Sequence, residues 1–174
     1  MDTRKIHYAS KALKGDVATP MFHIQVASSE GGVNHAVATP VTWHSIDVPI
    51  ETDPTAPRLE SLHIEDMALG QNSGVIACGS YPKENYTDAK TVAKALMARD
   101  GYTIMRWNDE DDENGGARSI AKTDTHMCVL RVLPYEDLWV FVTAVIPAAR
   151  MDEIGGVLHA AVVTFALAPG WSRG

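Results

Sequence analysis

Hydrophobic and polar residues alternate along the first half of the chain, in short runs that turn residues separate. This alternation predicts extended segments at 21–27, 41–50, 59–67 and 74–80. In the second run, side chains at odd positions from Val41 onward oppose those at even positions, and prolines flank the run. A strand with one buried and one hydrated face gives this pattern, so antiparallel strands are expected.

The spacing of apolar residues changes after residue 84 from two to three or four. Five of them then recur at helical intervals, namely Ala89, Val92, Ala93, Leu96 and Met97. Thr87 can cap the first turn, Asp88 favours the positive end of a helix, and Gly101 supplies a stop. The pattern therefore predicts one helix between Thr87 and Gly101.

Four more strands and a second helix are predicted in the last 75 residues. The strands lie at 102–107, 118–122, 126–133 and 138–146, with hairpin-length turns at 123–125 and 134–137. After Pro147 one apolar stripe continues to Phe165, which predicts a single closing helix. Gly155 and Gly156 interrupt it, and each glycine destabilises a helix by about 1 kcal/mol relative to alanine. Packing, or a closely approaching partner, must offset that cost.

The order of strands, one helix, four strands and one helix is typical of an α+β fold, with an antiparallel β-sheet flanked by helices. A length of 174 residues is that of one domain. We expect this domain to occupy the whole chain, with an N-terminal extension at 1–19 and a C-terminal tail at 169–174.

Three stretches carry a resemblance to a known fold group. They are the mid-chain helix that starts at Asn85-Tyr-Thr-Asp-Ala-Lys90, the strand Leu138-Trp-Val-Phe-Val-Thr-Ala144, and the closing Ile154-Gly-Gly-Val-Leu-His-Ala-Ala-Val-Val-Thr-Phe165, which continues as Ala-Leu. With the element order, over roughly residues 20 to 168, the sequence resembles the PsbP-like/DcrB-like α/β/α sandwich group.

The resemblance implies a non-catalytic scaffold. Members of the group act as extrinsic photosystem subunits, nuclear-transport accessory proteins, envelope proteins and chaperones for secreted effectors. Functional residues differ between these branches, so none is transferred to this chain. A chaperone-like or accessory role is the one we expect.

The charge of the chain is concentrated in one short run. Fifteen Lys and Arg stand against 22 Asp and Glu, for a net charge of −7, but five acids are consecutive at 109–113. The remaining 17 acids leave a net charge of −2. No basic cluster with interleaved aromatic residues appears, so a nucleic-acid partner is not expected. No apolar run is long enough for a membrane span, and no signal peptide is recognisable. We expect a soluble cytoplasmic protein.

The acidic run matches the twelve-residue calcium loop only in part. In its best register Glu110, Asp112 and Asn114 take the first, third and fifth positions and Gly115 the sixth, but Ala121 stands where a bidentate Glu is required. A solvated hairpin loop is the favoured interpretation. A cation site and a docking surface for a basic partner are the alternatives.

Histidines and cysteines provide the candidate pocket residues: His44, His63, Cys78, His126 and Cys128. The two cysteines lie 50 residues apart, which favours two separately buried thiols over a disulfide scaffold. His126 and Cys128 share a strand face and could begin a zinc site with His44 or His63. Cys78 could act as a nucleophile with His126 or His63. The simpler interpretation is core packing for the two cysteines and a half-exposed position at the start of its strand for His126.

The sequence contains no complete catalytic, cofactor or metal motif. We therefore expect a non-catalytic binding or accessory protein that needs no cofactor and contacts a protein partner or a second copy of itself, as in a homodimer. Gly155, Gly156 and Trp171 are the predicted interface residues, the last because a tail rarely has a core to enter. The alternative is a small enzyme or small-ligand-binding protein with a pocket between sheet and helices.

Overall fold

The computed structural model describes residues 3–4, 6–13, 22–29, 33–108 and 115–167. Its strands, in chain order, are β1 (Thr3–Arg4), β2 (Ile6–Leu13), β3 (Phe22–Ser29), β4 (His35–Pro40), β5 (His44–Ile46), β6 (Val48–Pro49), β7 (Arg58–Ile64), β8 (Val75–Pro82), β9 (Thr103–Asn108), β10 (Ala117–Lys122), β11 (His126–Tyr135), β12 (Leu138–Pro147) and β13 (Ala166–Leu167). Helix α1 (Ala89–Arg99) precedes β9, and α2 (Met151–Ile154) and α3 (Gly156–Thr164) follow β12. The α+β class and the order of strands, helix, four strands and helices agree with the sequence prediction.

Two antiparallel sheets form where the sequence indicated one. The larger has seven strands in the order β5-β7-β8-β12-β11-β10-β9, and the smaller has four in the order β13-β4-β3-β2. The pair β1–β6 is separate. Strand β2 lies within the residues that the sequence assigned to an extension. In the described chain no helix has the length and apolar character needed to cross a bilayer.

The seven-stranded sheet is the central layer because both of its faces are apolar. Helix α1 covers one face, where Val92, Leu96 and Met97 pack against Cys128 and Leu130. Helix α3 and the four-stranded sheet cover the other face, where the core includes Val37, Ile76, Val142, Leu158 and Phe165. Burial of this apolar surface on both sides provides the main stabilisation of the fold.

Helix α1 is bounded by local sequence, as predicted, with a shift of one residue at its start. The cap is Asp88 rather than Thr87, because the Asp88 carboxylate accepts the Thr91 N–H at 2.8 Å. At its end Gly101 has φ of 78°, Tyr102 N–H donates to Met97 O at 2.9 Å, and Gly101 N–H to Ala98 O at 3.2 Å. This pair of bonds is the Schellman motif, which requires the left-handed conformation that glycine adopts.

The predicted closing helix is two helices, divided at Gly155. A Cβ atom at Gly155 would collide with the carbonyl oxygen of Met151, so glycine is required at the junction by the chain itself. A Cβ at Gly156 would meet open space. The prediction of one uninterrupted helix was therefore wrong at this junction.

The predicted strand 41–50 was also wrong in part. Residues 41–42 form a turn, and only the short strands β5 and β6 follow. The pattern also missed β4, which is buried on both faces except at Ala36 and so lacks alternation.

Candidate functional site

A group of polar side chains lies buried between the two sheets, and we call it the inter-sheet polar cluster. Strands β3 and β4 contribute Gln25, His35 and Thr39, and strands β7 and β8 contribute Glu60, Ser61, His63, Cys78 and Ser80. None of them is more than 5% exposed. Buried polar groups are stable only when they are hydrogen-bonded, so their partners decide what the cluster can do.

His35 links the two sheets in one defined tautomer. Its Nδ1 lies 3.0 Å from the carbonyl oxygen of Val33, which can only accept, so Nδ1 carries the proton. Its Nε2 then accepts the hydroxyl hydrogen of Ser61 at 2.7 Å. Burial lowers the pKa of His35, opposed by the Val33 hydrogen bond and the charge of Glu60. His35 is therefore held neutral.

His63 is the second buried imidazole of the cluster. Its Nδ1 lies 3.1 Å from the Ser45 hydroxyl, which also reaches Gln25 Oε1 at 3.4 Å, and Gln25 in turn donates to Thr39 Oγ1 at 3.0 Å. Burial, with smaller effects from His35 and His23, lowers the pKa of His63 to about 4. This ring is also neutral near pH 7.

Glu60 is the buried carboxylate of the cluster, and a β-bulge turns it inward. The register of β7 shifts between Leu59 and Ser61, which places Glu60 out of the ladder. Its oxygens accept the Ser80 hydroxyl at 3.1 Å and the Val33 N–H at 3.3 Å, and Arg58 Nε lies 3.3 Å away. These three neighbours offset the free-energy cost of burying the negative charge of Glu60, so its environment is that of a structural carboxylate and not of a reactive one.

The two cysteines are free and lie on opposite faces of the central sheet. Cys78 belongs to the core beneath the four-stranded sheet, and Cys128 to the core beneath α1. Burial raises the pKa of each thiol to about 12. A nucleophilic cysteine needs a thiolate, so these two have the environment of core residues. The predicted separate burial of both thiols is confirmed.

The two other histidine candidates do not belong to the cluster and lie far from each other. His44 is exposed on the edge strand β5, whereas His126 on β11 hydrogen-bonds Thr125 Oγ1 and Gln71 O, both at 2.8 Å. Four strand spacings separate β5 from β11, about 19 Å. Over the residues that the structure describes, no three His, Cys, Asp or Glu side chains are grouped for a metal ion.

The Ser61–His35 pair has the short contact of a nucleophile and its base, but the surrounding structure encloses it. Ser61 is 0% and His35 1% exposed, so no substrate atom can reach either side chain without separation of the sheets. Both ring nitrogens of His35 are hydrogen-bonded, and the bond to Ser61 joins the two sheets.

An open cleft lies elsewhere, between strands β9–β11 and helices α2–α3, and we call it the β9–α3 cleft. Its volume is about 430 Å³. The polar lining consists of Arg106, Asn108, Arg118, Ser119 and His159, and the apolar lining of Ile120, Val129, Met151, Leu158, Val162 and Val163, with Gly155 at the helix junction. Among these described lining residues there is no carboxylate.

The register of the sheet explains how the cleft acquires its arginines. Arg118 of β10 lies directly opposite Asn108 of β9, and Ile120 lies opposite Arg106. Directly opposed residues, and residues two apart on a strand, share a face. Arg106 and Arg118 thus meet on the α3 side of the sheet. They stand twelve positions apart in sequence with the acidic run between them, so only the pairing of 102–107 with 118–122 could have revealed them.

A second surface cavity, of about 260 Å³, lies near the end of α1 and mixes the side chains of Glu51, Arg99 and Asp100 with apolar ones. Neither cavity is lined by any of the five predicted pocket residues. Of the predicted interface residues, Gly155 lines the β9–α3 cleft and Gly156 lies beside it on α3. Trp171 and the acidic run 109–113 lie outside the described residues.

Comparison with known proteins shows similarity to solved structures. No protein-family model matches the chain, and no curated protein does. The solution structure of cyanobacterial PsbP from Synechocystis sp. PCC 6803 superposes on it with a TM-score of 0.53, over 90% of this chain and 98% of PsbP. The chain shares its fold with cyanobacterial PsbP. The identity to PsbP is 13%, so the likeness is one of fold and transfers no residue or activity.

Proposed function

We propose that this protein is a non-catalytic binding protein with an accessory or chaperone-like role, which acts through contact with a protein partner or a second copy of itself. One observation carries the proposal: the buried histidines and Cys78 of the inter-sheet polar cluster are enclosed, whereas the open cleft has a lining suited to binding. His35, His63 and Cys78 have no access to solvent, and the β9–α3 cleft presents guanidinium and aliphatic groups.

Exposed apolar side chains support this proposal. Met151 and Val163 at the cleft are 36% and 50% exposed, and Met105 on β9 is 54% exposed. Apolar side chains grouped at a surface with arginine are typical of protein contact sites. The PsbP-like fold agrees with a scaffold role at the level of architecture. The two free thiols agree with a reducing, cytoplasmic location, which is part of the same proposal.

The proposal is tested by sedimentation velocity over a wide concentration range, combined with affinity capture from a lysate of the source organism. The expected result is a concentration-dependent dimer or a partner retained in stoichiometric amount. A strict monomer at the highest concentration that also retains no stoichiometric partner contradicts the proposal.

The cleft also favours a second candidate function, which is the binding of a small ligand between sheet and helices. Its volume of about 430 Å³ lies in the range of small-molecule sites. A thermal-shift screen of small carboxylates and phosphates tests this candidate. A rise in Tm that disappears in a double variant, R106Q/R118Q, supports it. No rise with any compound at millimolar concentration contradicts it.

A further inference from the structure

The contact between the two sheets contains three histidines. His35 of β4 and His63 of β7 are the buried histidines among the residues that the structure describes. His23 of β3 is half-buried at the same contact, because it lies opposite Thr39 and therefore shares its face. The three rings come from three strands, two of the four-stranded sheet and one of the central sheet, so the packing of one sheet on the other encloses them.

The hydrogen bonds at this contact suit rings without an added proton. The side-chain nitrogen of Gln25, which can only donate, lies 2.7 Å from His23 Nε2, so this ring nitrogen accepts. His35 Nε2 likewise accepts the Ser61 hydroxyl hydrogen at 2.7 Å. A proton added to His23 Nε2 would bring two donors face to face, and one added to His35 Nε2 would require the Ser61 hydroxyl to turn away. The closed contact therefore opposes protonation by its geometry.

Burial and mutual repulsion act in the same direction. Burial lowers the pKa of His23 and the pKa of His35. Burial also lowers the pKa of His63 to about 4, with smaller contributions from the charges of His35 and His23. Each positive charge in this layer thus disfavours the next one.

The other titratable groups that face these rings do not offset an added charge. Glu60 favours a protonated His35, but burial disfavours it more, and the Glu60 carboxylate already lies 3.3 Å from Arg58 Nε. The Cys78 thiol, with its pKa raised to about 12, is neutral in acid. The register of β2 places Tyr8 at the same face, and tyrosine is also neutral in acid. The core residues that β12 and α3 contribute on this side are apolar.

We propose that the contact between the sheets is an acid-sensitive switch: protonation of His23, His35 and His63 releases β3 and β4 from β7 and β8 and exposes the face of the central sheet that carries Cys78. In the released state water hydrates the three rings and stabilises their charges. The release needs no bound partner, so this property is separate from the proposed binding function.

The sign and the pH window follow from the pKa of His63. This pKa is about 4 in the closed state, whereas a hydrated histidine has a pKa of about 6.5. Between these values only the released state binds the proton, so the sheets are closed above about pH 6.5 and release is favoured as the pH falls toward 4. Each proton taken up on release raises the equilibrium constant for release about tenfold per pH unit.

The remaining contacts keep the rest of the molecule closed. The N–H of Ala38 donates to Thr164 Oγ1 at 2.7 Å, and β13 pairs with β4, so the β4 edge stays attached to the end of α3. The core beneath α1 contains none of the buried histidines that the structure describes. Acid therefore opens the contact between the sheets before it opens the core beneath α1.

The two cysteines test the proposal within one molecule. Cys78 lies beneath the four-stranded sheet and Cys128 beneath α1, and both are free. The full chain is labelled with 4,4′-dithiodipyridine, which reacts with thiols in acid, at a series of values between about pH 7 and pH 4. Mass spectrometry gives the rate at each cysteine, and its protection is the rate in the denatured chain divided by the rate in the native chain. Light scattering establishes that the chain does not aggregate.

The proposal predicts that the protection of Cys78 falls by about tenfold or more over this range, whereas that of Cys128 changes by less than about twofold. Equal loss of protection at both cysteines would show that the whole chain unfolds and overturns the proposal. Full protection of Cys78 at the acid end of the range also overturns it.

Histidine variants assign the effect to the buried rings. We expect the pH dependence of Cys78 protection to decrease in His63→Gln and to decrease further in H35Q/H63Q. The matched control H44Q/H159Q removes two exposed histidines and is expected to stay within about twofold of the unaltered chain. Circular dichroism at neutral pH establishes that each variant is folded, and His63→Gln alone carries the test if H35Q/H63Q is not. An unchanged pH dependence in His63→Gln, or an equal decrease in H44Q/H159Q, overturns the proposal.

Discussion

At the scale of single residues, the inter-sheet polar cluster shows how buried polar groups are made compatible with a core. His35 and His63 are neutral, Glu60 has hydroxyl, amide and guanidinium neighbours, and Ser61 donates to His35. Such groups cost free energy when a partner is removed, more than they contribute when it is present. The cluster therefore determines which faces of the two sheets can meet.

Removal of the Ser61 hydroxyl tests that role. Ser61→Ala leaves His35 Nε2 without its 2.7 Å donor in a buried site, so we expect unfolding free energy to fall by about 1–3 kcal/mol. Urea denaturation measures the change. Thr55→Ala, at an exposed position, is the control and is expected to stay within about 0.5 kcal/mol of the unaltered chain. A loss at Ser61 no larger than that of the control contradicts the assigned role.

The buried His63 makes stability depend on pH. With a pKa of about 4 in the folded chain and about 6.5 when unfolded, only the unfolded state binds this proton between those values. Stability is thus full above pH 6.5 and is lost as pH falls toward 4, at up to about 1.4 kcal/mol per pH unit from this group. In His63→Gln the slope of unfolding free energy against pH is expected to decrease in that window. An unchanged slope contradicts the assignment.

The two thiols give a direct test of core burial. Both pKa values are raised to about 12 and both side chains are buried, so the native chain contains almost no accessible thiolate at pH 8. We expect Ellman's reagent to label neither cysteine in the folded protein and both after denaturation. Rapid labelling of one cysteine under native conditions would show that its core opens.

At the scale of elements, α3 is joined to its neighbours by side chains at its last turn. Thr164 Oγ1 donates to Ala160 O at 2.6 Å and accepts the N–H of Ala38, on β4, at 2.7 Å. Strand β13 pairs with β4 at His35 and Ala36, and Thr164 extends the contact along that edge of β4 to Ala38. The Thr164 hydroxyl oxygen thus accepts the β4 N–H that a backbone carbonyl would accept if the chain were extended at this point.

Thr164→Val tests this connection because it keeps the shape and removes the oxygen. The N–H of the fully buried Ala38 then loses its acceptor, and unfolding free energy is expected to fall by about 1–3 kcal/mol. Val163→Thr, the opposite exchange at the adjacent exposed position, is the matched control and should be nearly neutral. Equal effects of the two exchanges would contradict the proposed connection.

Elements that local sequence determines could be predicted, whereas elements that tertiary contacts determine could not. Helix α1 carries its own cap and stop, and the β11–β12 hairpin carries its own turn, so both were recognised. Strand β4 has no alternation because nearly every position is buried, and the break at Gly155 depends on a contact with Met151.

The candidate site follows the same rule. His63 and Cys78 were two of the five candidate pocket residues, and both belong to the inter-sheet polar cluster, but composition could not indicate that this cluster is closed. Arg106 and Arg118 were missed because they become neighbours only through the register of β9 and β10.

At the scale of the whole molecule, the layers separate the enclosed polar groups from the accessible ones. His35 of β4 and His63 of β7 are enclosed between the two sheets, whereas the β9–α3 cleft, at the other end of the central sheet, is open to solvent.

Hydrogen–deuterium exchange of the full chain at low and high protein concentration, and with the partner retained from the lysate, tests the central claim most directly. If the protein acts through contact with a second copy or a partner at the β9–α3 cleft, association slows exchange of the amides of α2 and α3 that line this cleft. Association that leaves exchange along the cleft unchanged, or no association under any of these conditions, would contradict the account.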